Sequence, residues 1–282
     1  HNGRITEQER EEKEWSGTFK AAYRFNERVM AYFSAARGYK AGGFNLDRVQ
    51  SNTGLSSGTS GIVPVNDTSF PAEFVDSFEL GTKTTWLGGN LLLNATLFHQ
   101  EYSDFQLNSF LGTSFVVRSI PKVTSQGLDA ELLWQTGGWM VQSGLTYADT
   151  EYGDDPLPDA DLALLPGSRP SFAPKWSATA SVGYDWDIGS LKAGAHIGAK
   201  YMSDYNTGSD LDPQKQQDAY TLANARFTIG SQNDRWSLEL WSQNLTNAEY
   251  YQVAIDTPLQ TGSWNAFLGA PRTYGLTFRL KY

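Results

Sequence analysis

The feature that most restricts this chain is a strict two-residue alternation, clearest in residues 272–282. Tyr274, Leu276, Phe278, Leu280 and Tyr282 are apolar or aromatic; Thr273, Gly275, Thr277, Arg279 and Lys281 between them are small, polar or charged. A strand sends successive side chains to opposite faces. One face of this strand therefore meets an apolar medium and the other meets water. The pattern recurs at Trp15, Gly17, Phe19, Ala21, Tyr23 and Phe25, again from Trp176 to Trp186, and again from Leu191 to Tyr201. These runs exceed the roughly 5–6 residues of an ordinary globular strand.

Read this way, the chain predicts about eleven strands, near 15–25, 28–39, 73–86, 90–105, 114–135, 139–149, 172–187, 190–202, 219–230, 235–246 and 272–282. The segment 114–135 is the least regular, and its Pro121 predicts a bulge or a late strand start. The connections alternate as well. Short links at Asn26-Glu27, Leu87–Gly89, Thr136–Gly138, Asp187–Gly189 and Ser231–Asp234 carry mostly the Gly, Asn and Asp of tight hairpins. Between them lie long links at 40–72, 106–113, 150–171, 203–218 and 247–271. Short on one side and long on the other is the plan of an antiparallel up-and-down transmembrane β-barrel. A Greek-key sandwich gives no reason for it.

Trp86, Trp134, Trp139, Trp186 and Trp236 fall close to the short links, with Tyr282 expected at the same level. A membrane–water interface selects such a row, because the ring is apolar and its N–H or O–H stays wet. The competing reading makes these rings plugs in a soluble sandwich. Their neighbours on the same face, among them Ala178, Ala180, Ala193, Ala195, Ala223 and Ala225, would build a thin core but are tolerated against lipid.

Composition removes other classes. No apolar run approaches the roughly 20 residues of a membrane helix, and mean hydropathy is −0.44. Barrel strands escape that test because half of each is polar. The absence of cysteine excludes disulfide frameworks and thiolate chemistry. A net charge of −9 argues against nucleic acid. Of His1, His99 and His196, none has a Ser-His-Asp arrangement to recommend it, so no catalytic residue, metal or cofactor is predicted. Asp149, Glu151, Asp154, Asp155, Asp159 and Asp161 form an oxygen-rich stretch. Calcium takes oxygen ligands, but the spacing is not an EF-hand, and a solvated acidic loop is the simpler reading.

The water-facing set is Lys20, Arg24, Lys175, Asp185, Lys192, His196, Lys200, Arg226, Glu239, Arg279 and Lys281. Candidate ligand contacts at the long-link end are Tyr39, Lys40, Phe44, Tyr102 and Trp264, since long loops on a rigid scaffold carry recognition. An odd strand count puts the two chain ends on opposite sides of a membrane, whereas bacterial single-chain barrels have even counts. The expectation is that residues 1–14 end an extracellular loop and residues 15–282 form the C-terminal part of a larger barrel.

Three stretches carry a resemblance: Ser34–Asn45, Phe74–Lys83 with its Glu79-Leu80-Gly81-Thr82-Lys83, and Asn244–Tyr251 followed by Gly269–Tyr282. In this order they resemble the TonB-dependent outer-membrane receptors. The resemblance implies a 22-stranded barrel with an N-terminal plug, of which this chain is the last half. It also implies uptake of a scarce nutrient such as a ferric siderophore. The implied partners are outer-membrane lipid and lipopolysaccharide, the plug and remaining strands, TonB through the missing N-terminal region, and a small-molecule ligand. The implied location is the bacterial outer membrane. A passive porin-like channel, a cobalamin or oligosaccharide receptor, and a soluble or surface β-protein are the alternatives.

Overall fold

The computed structural model describes residues 7–45, 68–111, 114–157 and 162–281. Tyr282, Asp159, Asp161 and most of the link 40–72 lie outside them. The regular elements among the described residues are strands and short 3-10 turns only. In chain order the strands are β1 (Gly17–Asn26), β2 (Val29–Lys40), β3 (Gly43–Phe44), β4 (Ser69–Phe70), β5 (Glu73–Trp86), β6 (Leu91–Leu111), β7 (Ser114–Thr136), β8 (Trp139–Tyr152), β9 (Trp176–Ile188), β10 (Leu191–Met202), β11 (Tyr205–Asn206), β12 (Gln216–Gln217), β13 (Tyr220–Ser231), β14 (Trp236–Gln243), β15 (Tyr251–Asp256), β16 (Trp264–Leu268) and β17 (Thr273–Leu280).

Eleven of these make one antiparallel sheet, ordered β1-β2-β5-β6-β7-β8-β9-β10-β13-β14-β17, with β1 and β17 at its edges. Each strand pairs with its neighbour along the chain, the up-and-down order that alternating short and long links predict. The remaining strands form three small hairpins, β3-β4, β11-β12 and β15-β16, all within the long links.

Below the upper end of β6 and β7, register keeps one set of side chains on one face across the sheet. Phe33, Leu80, Leu97 and Leu128 are direct partners on β2, β5, β6 and β7. Tyr184, Ala195, Phe227, Leu240 and Leu276 are direct partners on β9, β10, β13, β14 and β17. A slip of one residue anywhere would turn a strand's apolar set into water. Most strand glycines occupy the other, polar face, and large side chains lie across several of them. A Cβ on Gly81 would strike the ring of Tyr32, and one on Gly275 the ring of Trp241. Both rings are anchored beyond the glycine, Tyr32 Oη to Thr96 Oγ1 at 3.0 Å and Trp241 Nε1 to Thr277 Oγ1 at 3.1 Å.

Two expectations are corrected. The link 106–113 is largely strand, because pairing on β6–β7 continues up to Leu111 with Ser114. Pro121 marks neither a bulge nor a strand start. Register is the same on both sides, Ser103 with Lys122 and Phe105 with Ile120. What changes is the facing. Opposite Pro121, which has no N–H to give the ladder, Asp104 takes a left-handed φ of 54°. Burial then passes from Val123 to Ile120 and Val116 on β7. The upper half of this hairpin is turned over, and its newly buried side chains, Leu107 and Ile120, enter a packed core at the long-link end. That core contains Leu107, Ile120, Val123, Tyr152, Leu162 and Leu165.

Candidate functional site

Among the described residues nothing covers the apolar face of the sheet. Leu276 is 66% exposed, Phe19 63% and Leu97 56%. Burying a side chain of this size is ordinarily worth about 1.5–3 kcal/mol, so a face of them left in water would be heavily unfavourable. Side chains sealed between two stacked sheets, as a soluble sandwich requires, are not what this architecture contains.

The edges of the face are aromatic. Trp86, Trp134, Trp139, Trp186 and Trp236 all stand on its phase at the short-link end. Here Trp139 packs on Tyr184 with ring centroids 4.5 Å apart. A second row, not singled out in the sequence, stands at the long-link end: Trp15, Phe74, Tyr147, Trp176 and Tyr274. Tyr147 and Trp176 have centroids 4.6 Å apart. Trp176 and Trp186 are on the same phase at the two ends of β9. Their separation of about 33 Å along the strand, at about 3.3 Å per residue, spans about 25 Å of bilayer once a barrel tilt of about 35–45° is applied.

Around the second row the same face turns ionic. Arg37 Nη1 donates to Asp76 Oδ2 at 2.8 Å, Lys122 pairs with Glu101 at 2.8 Å, and Lys175 pairs with Asp149 at 2.8 Å. The Arg37 guanidinium also lies 5.0 Å from the Phe74 ring centroid and 5.5 Å from that of Trp15. Lys175 is thus a correction. It precedes β9, escapes the strand's alternation, and sits with Asp149 and the Tyr147 ring (5.7 Å) on the apolar-phase side rather than with the water-facing set.

An apolar band with aromatics at both edges, on a sheet with short links below and long links above, specifies a membrane-spanning barrel wall. The profile of the family "TonB dependent receptor-like, beta-barrel" matches residues 2–245. The chain belongs to the TonB-dependent receptor β-barrel family. Solved structures share the fold of this receptor barrel at low identity. The ferric yersiniabactin uptake receptor FyuA of Yersinia pestis superposes with a TM-score of 0.74 at 22% identity, over 95% of this chain and 37% of that one. The siderophore receptor PiuA of Acinetobacter baumannii gives 0.69 at 21%, over 95% and 36%. The ferric-catecholate import receptor Fiu of E. coli K12 in its closed form gives 0.65 at 22%, over 93% and 34%. The chain therefore spans a little over a third of these receptors' length.

On the polar face of the receptor barrel, Lys20, Arg24, Lys192, His196, Lys200, Arg226 and Arg279 share one phase. His196 lies over Gly183 and faces Asp185 at 3.2 Å between Nε2 and Oδ1. Arg279 Nη2 donates to Glu239 Oε1 at 3.4 Å. Lys192 Nζ donates to Asp234 Oδ1 at 2.9 Å. That hydrogen bond and the ammonium charge hold the Asp234 carboxyl, in a short turn, below its ordinary range. Among the described residues no group of His, Cys, Asp and Glu is disposed to hold a metal.

The long links of the receptor barrel dock on one another. Gln106 Nε2 donates to the carbonyls of Ala41 at 2.9 Å and Pro71 at 3.0 Å, and Asn45 exchanges bonds of 2.8 and 2.9 Å with the backbone of Val117. Residues 8–12 join this end, where Gly42 N–H donates to Glu12 Oε2 at 3.1 Å and Thr68 Oγ1 to Gln8 Oε1 at 3.0 Å. Arg169 reaches Asp204 at 2.6 Å, tying the links after β8 and β10. The links after β10 and β14 are tied by Lys215, which no motif in the sequence singles out. Its side chain is 3% exposed, and its Nζ meets Asp210 Oδ2 at 2.7 Å and Asp256 Oδ2 at 3.0 Å. Burial opposes its charge, the two carboxylates outweigh burial, and its pKa stands above the ordinary lysine range.

The five candidate ligand contacts do not converge. Tyr39 stands beside Phe74 on the apolar phase, ring centroids 6.4 Å apart. Lys40 follows on the opposite phase and is exposed. Phe44 is half-buried in β3. Tyr102 packs against the core, with Phe105 at 5.9 Å, and its hydroxyl donates to Gln100 at 3.1 Å. Trp264 lies in a different link, its Nε1 donating to Asp212 at 3.3 Å.

Proposed function

We propose that this chain forms the closing wall and the long extracellular links of an outer-membrane receptor that imports a scarce nutrient, with a ferric siderophore as the first candidate. The observation that carries the reading is the apolar band bounded by two aromatic rows, on a chain whose family is that of TonB-dependent receptors. The ligands named for FyuA, PiuA and Fiu support an iron chelate over cobalamin or an oligosaccharide. In this reading the remaining strands pair with β1 and β17, because an open edge in hydrocarbon leaves backbone N–H and C=O groups unsatisfied at several kcal/mol each. A plug occupies the enclosed passage, and TonB drives its rearrangement through the receptor's N-terminal region. The docked links capture the chelate, and the polar face borders its path.

The test is growth and uptake. A strain lacking the complete receptor should lose accumulation of radioactive iron from one class of ferric siderophore under iron limitation. Restoring the gene should restore it, and removing TonB should abolish it. Uptake that persists without TonB would favour a passive porin-like channel instead.

A further inference from the structure

The apolar face is not uniform. Across β8 to β17 it contains a trough of about 800 Å³. Small residues make its floor, Ala195, Ala225 and Ser242, while Trp139, Tyr184 and Tyr274 stand at its sides. On the adjoining rung Ala180, Ala199 and Ala223 are direct neighbours on β9, β10 and β13. Elsewhere the same face is filled, as by the Phe33, Leu80, Leu97 and Leu128 rung. Rungs run perpendicular to the strands. In a sheet tilted as a barrel wall is, the trough therefore climbs from the lower aromatic row at Trp139 toward the long-link end. There it finishes at Leu245 and Arg272.

Arg272 makes that mouth cationic. Its side chain is exposed, Nη1 donates to the Leu245 carbonyl at 3.4 Å, and among the described residues no carboxylate is paired with it. A guanidinium with free N–H donors at the top of an apolar groove matches an amphiphile with one anionic, oxygen-rich head. The volume lies within the range of sites that bury most of a small ligand. A second barrel wall is convex and would touch a trough only along its rims, whereas a flexible hydrocarbon chain fills it.

We infer that this trough is a specific seat for one lipid with a net-anionic phosphate headgroup, drawn from the leaflet on the long-link side. An acyl chain lies along Ala195 and Ala225 and the phosphate rests on Arg272. The inference rests on the membrane reading above, and its test separates the two. The complete receptor is placed in lipid nanodiscs containing phosphatidylglycerol with a photoreactive group in its acyl chain, and labelled residues are mapped. Labelling at Ile197, Ala225 and Leu240 should exceed labelling at Phe33 and Leu97 several-fold. Arg272→Gln should remove the preference for phosphatidylglycerol over phosphatidylcholine. The double variant Ala195→Phe/Ala225→Phe, which keeps the face apolar but fills the floor, should bring the trough down to the level of Phe33.

Native mass spectra of the receptor should retain one lipid in the unsubstituted protein and none in the filled variant. The labelling contrast in the unsubstituted protein stands even where the filled variant does not fold. Equal labelling of the trough and of Phe33 and Leu97 overturns the seat and leaves the membrane wall intact. No labelling at either place overturns both. A retained polypeptide in place of a lipid overturns the assigned occupant.

Discussion

Lys215 Nζ lies 3.0 Å from Asp256 Oδ2 although the two residues belong to different links and the lysine side chain is only 3% exposed. Asp210, at 2.7 Å, supplies the second acceptor. Removing both carboxylates leaves a buried ammonium without a counter-charge, which costs about 3–5 kcal/mol when burial is complete. Asp256 is partly exposed, so Asp210→Asn/Asp256→Asn should weaken docking of the two links by about 2–3 kcal/mol. Amides of residues 205–217 and 251–256 should then exchange roughly 30- to 150-fold faster. Lys215→Met should be milder, because it removes the buried charge and leaves carboxylates that water can reach. Unchanged exchange in the double variant would mean that the lysine is solvated.

The pH dependence of this contact has a definite sign. A base whose pKa is raised on folding contributes fully below its unfolded value, about 10.4 for lysine, and loses that contribution as pH climbs through the folded value. Since Asp210 and Asp256 raise Lys215 against its burial, the link between the two loops should hold steady from about pH 7 to 10 and loosen above. The Thr207 amide, which donates to the Lys215 carbonyl at 2.9 Å, reports it. Its protection, corrected for base-catalysed intrinsic exchange, should stay flat to about pH 10 and then fall. A loss of protection between pH 7 and 9 would contradict the assignment.

What could be read from the sequence follows from the physics of a single layer between two solvents. Every residue of β9 or β10 faces either hydrocarbon or water, so Ala180 and Lys200 declare their faces by chemistry alone, and hairpin glycines such as Gly137 and Gly138 mark where the chain turns back. The upper β6–β7 hairpin was hidden because Asn108 and Ser109 are loop-like by composition, and because its facing is reversed by the backbone of Asp104, not by any change in residue type. Lys175 was misassigned because alternation holds only where a residue is within the ladder, and it lies just outside. Lys215 was illegible for another reason: Asp256 lies in a separate link, and no local pattern joins them. The upper aromatic row was legible but overlooked, since Tyr147 and Trp176 stand on the same phase as Trp139 and Trp186.

Facing is directly testable by charge. Ala180 and Leu276 are on the apolar face, and Lys200 is on the polar one. Ala180→Arg or Leu276→Arg should destabilise the folded receptor in lipid by about 2–4 kcal/mol at mid-membrane depth, less if the position is nearer an interface. Lys200→Gln should change stability by less than about 0.5 kcal/mol. Urea titration of the receptor in lipid vesicles measures all three. Equal cost on both faces would refute the two-solvent wall.

The polar face makes its own prediction through Tyr32 and Gly81, partners across β2 and β5. The Tyr32 ring lies over Gly81 and its hydroxyl is 3.0 Å from Thr96 Oγ1 on β6, so one side chain bridges three strands. Gly81→Ala places a methyl where the ring is, and overpacking of this kind costs about 1–3 kcal/mol, with about 1 kcal/mol more if the Thr96 hydrogen bond is lost. Because the obstacle is a side chain, Tyr32→Ala should relieve it, and Gly81→Ala should be nearly silent in that background. Gly230 differs: its Cβ would meet the backbone carbonyl of Trp236 at 2.6 Å, which no side-chain truncation removes. A double-mutant cycle in lipid vesicles should therefore give a coupling of at least about 1 kcal/mol between positions 32 and 81. It should give none between 230 and a truncated Trp236.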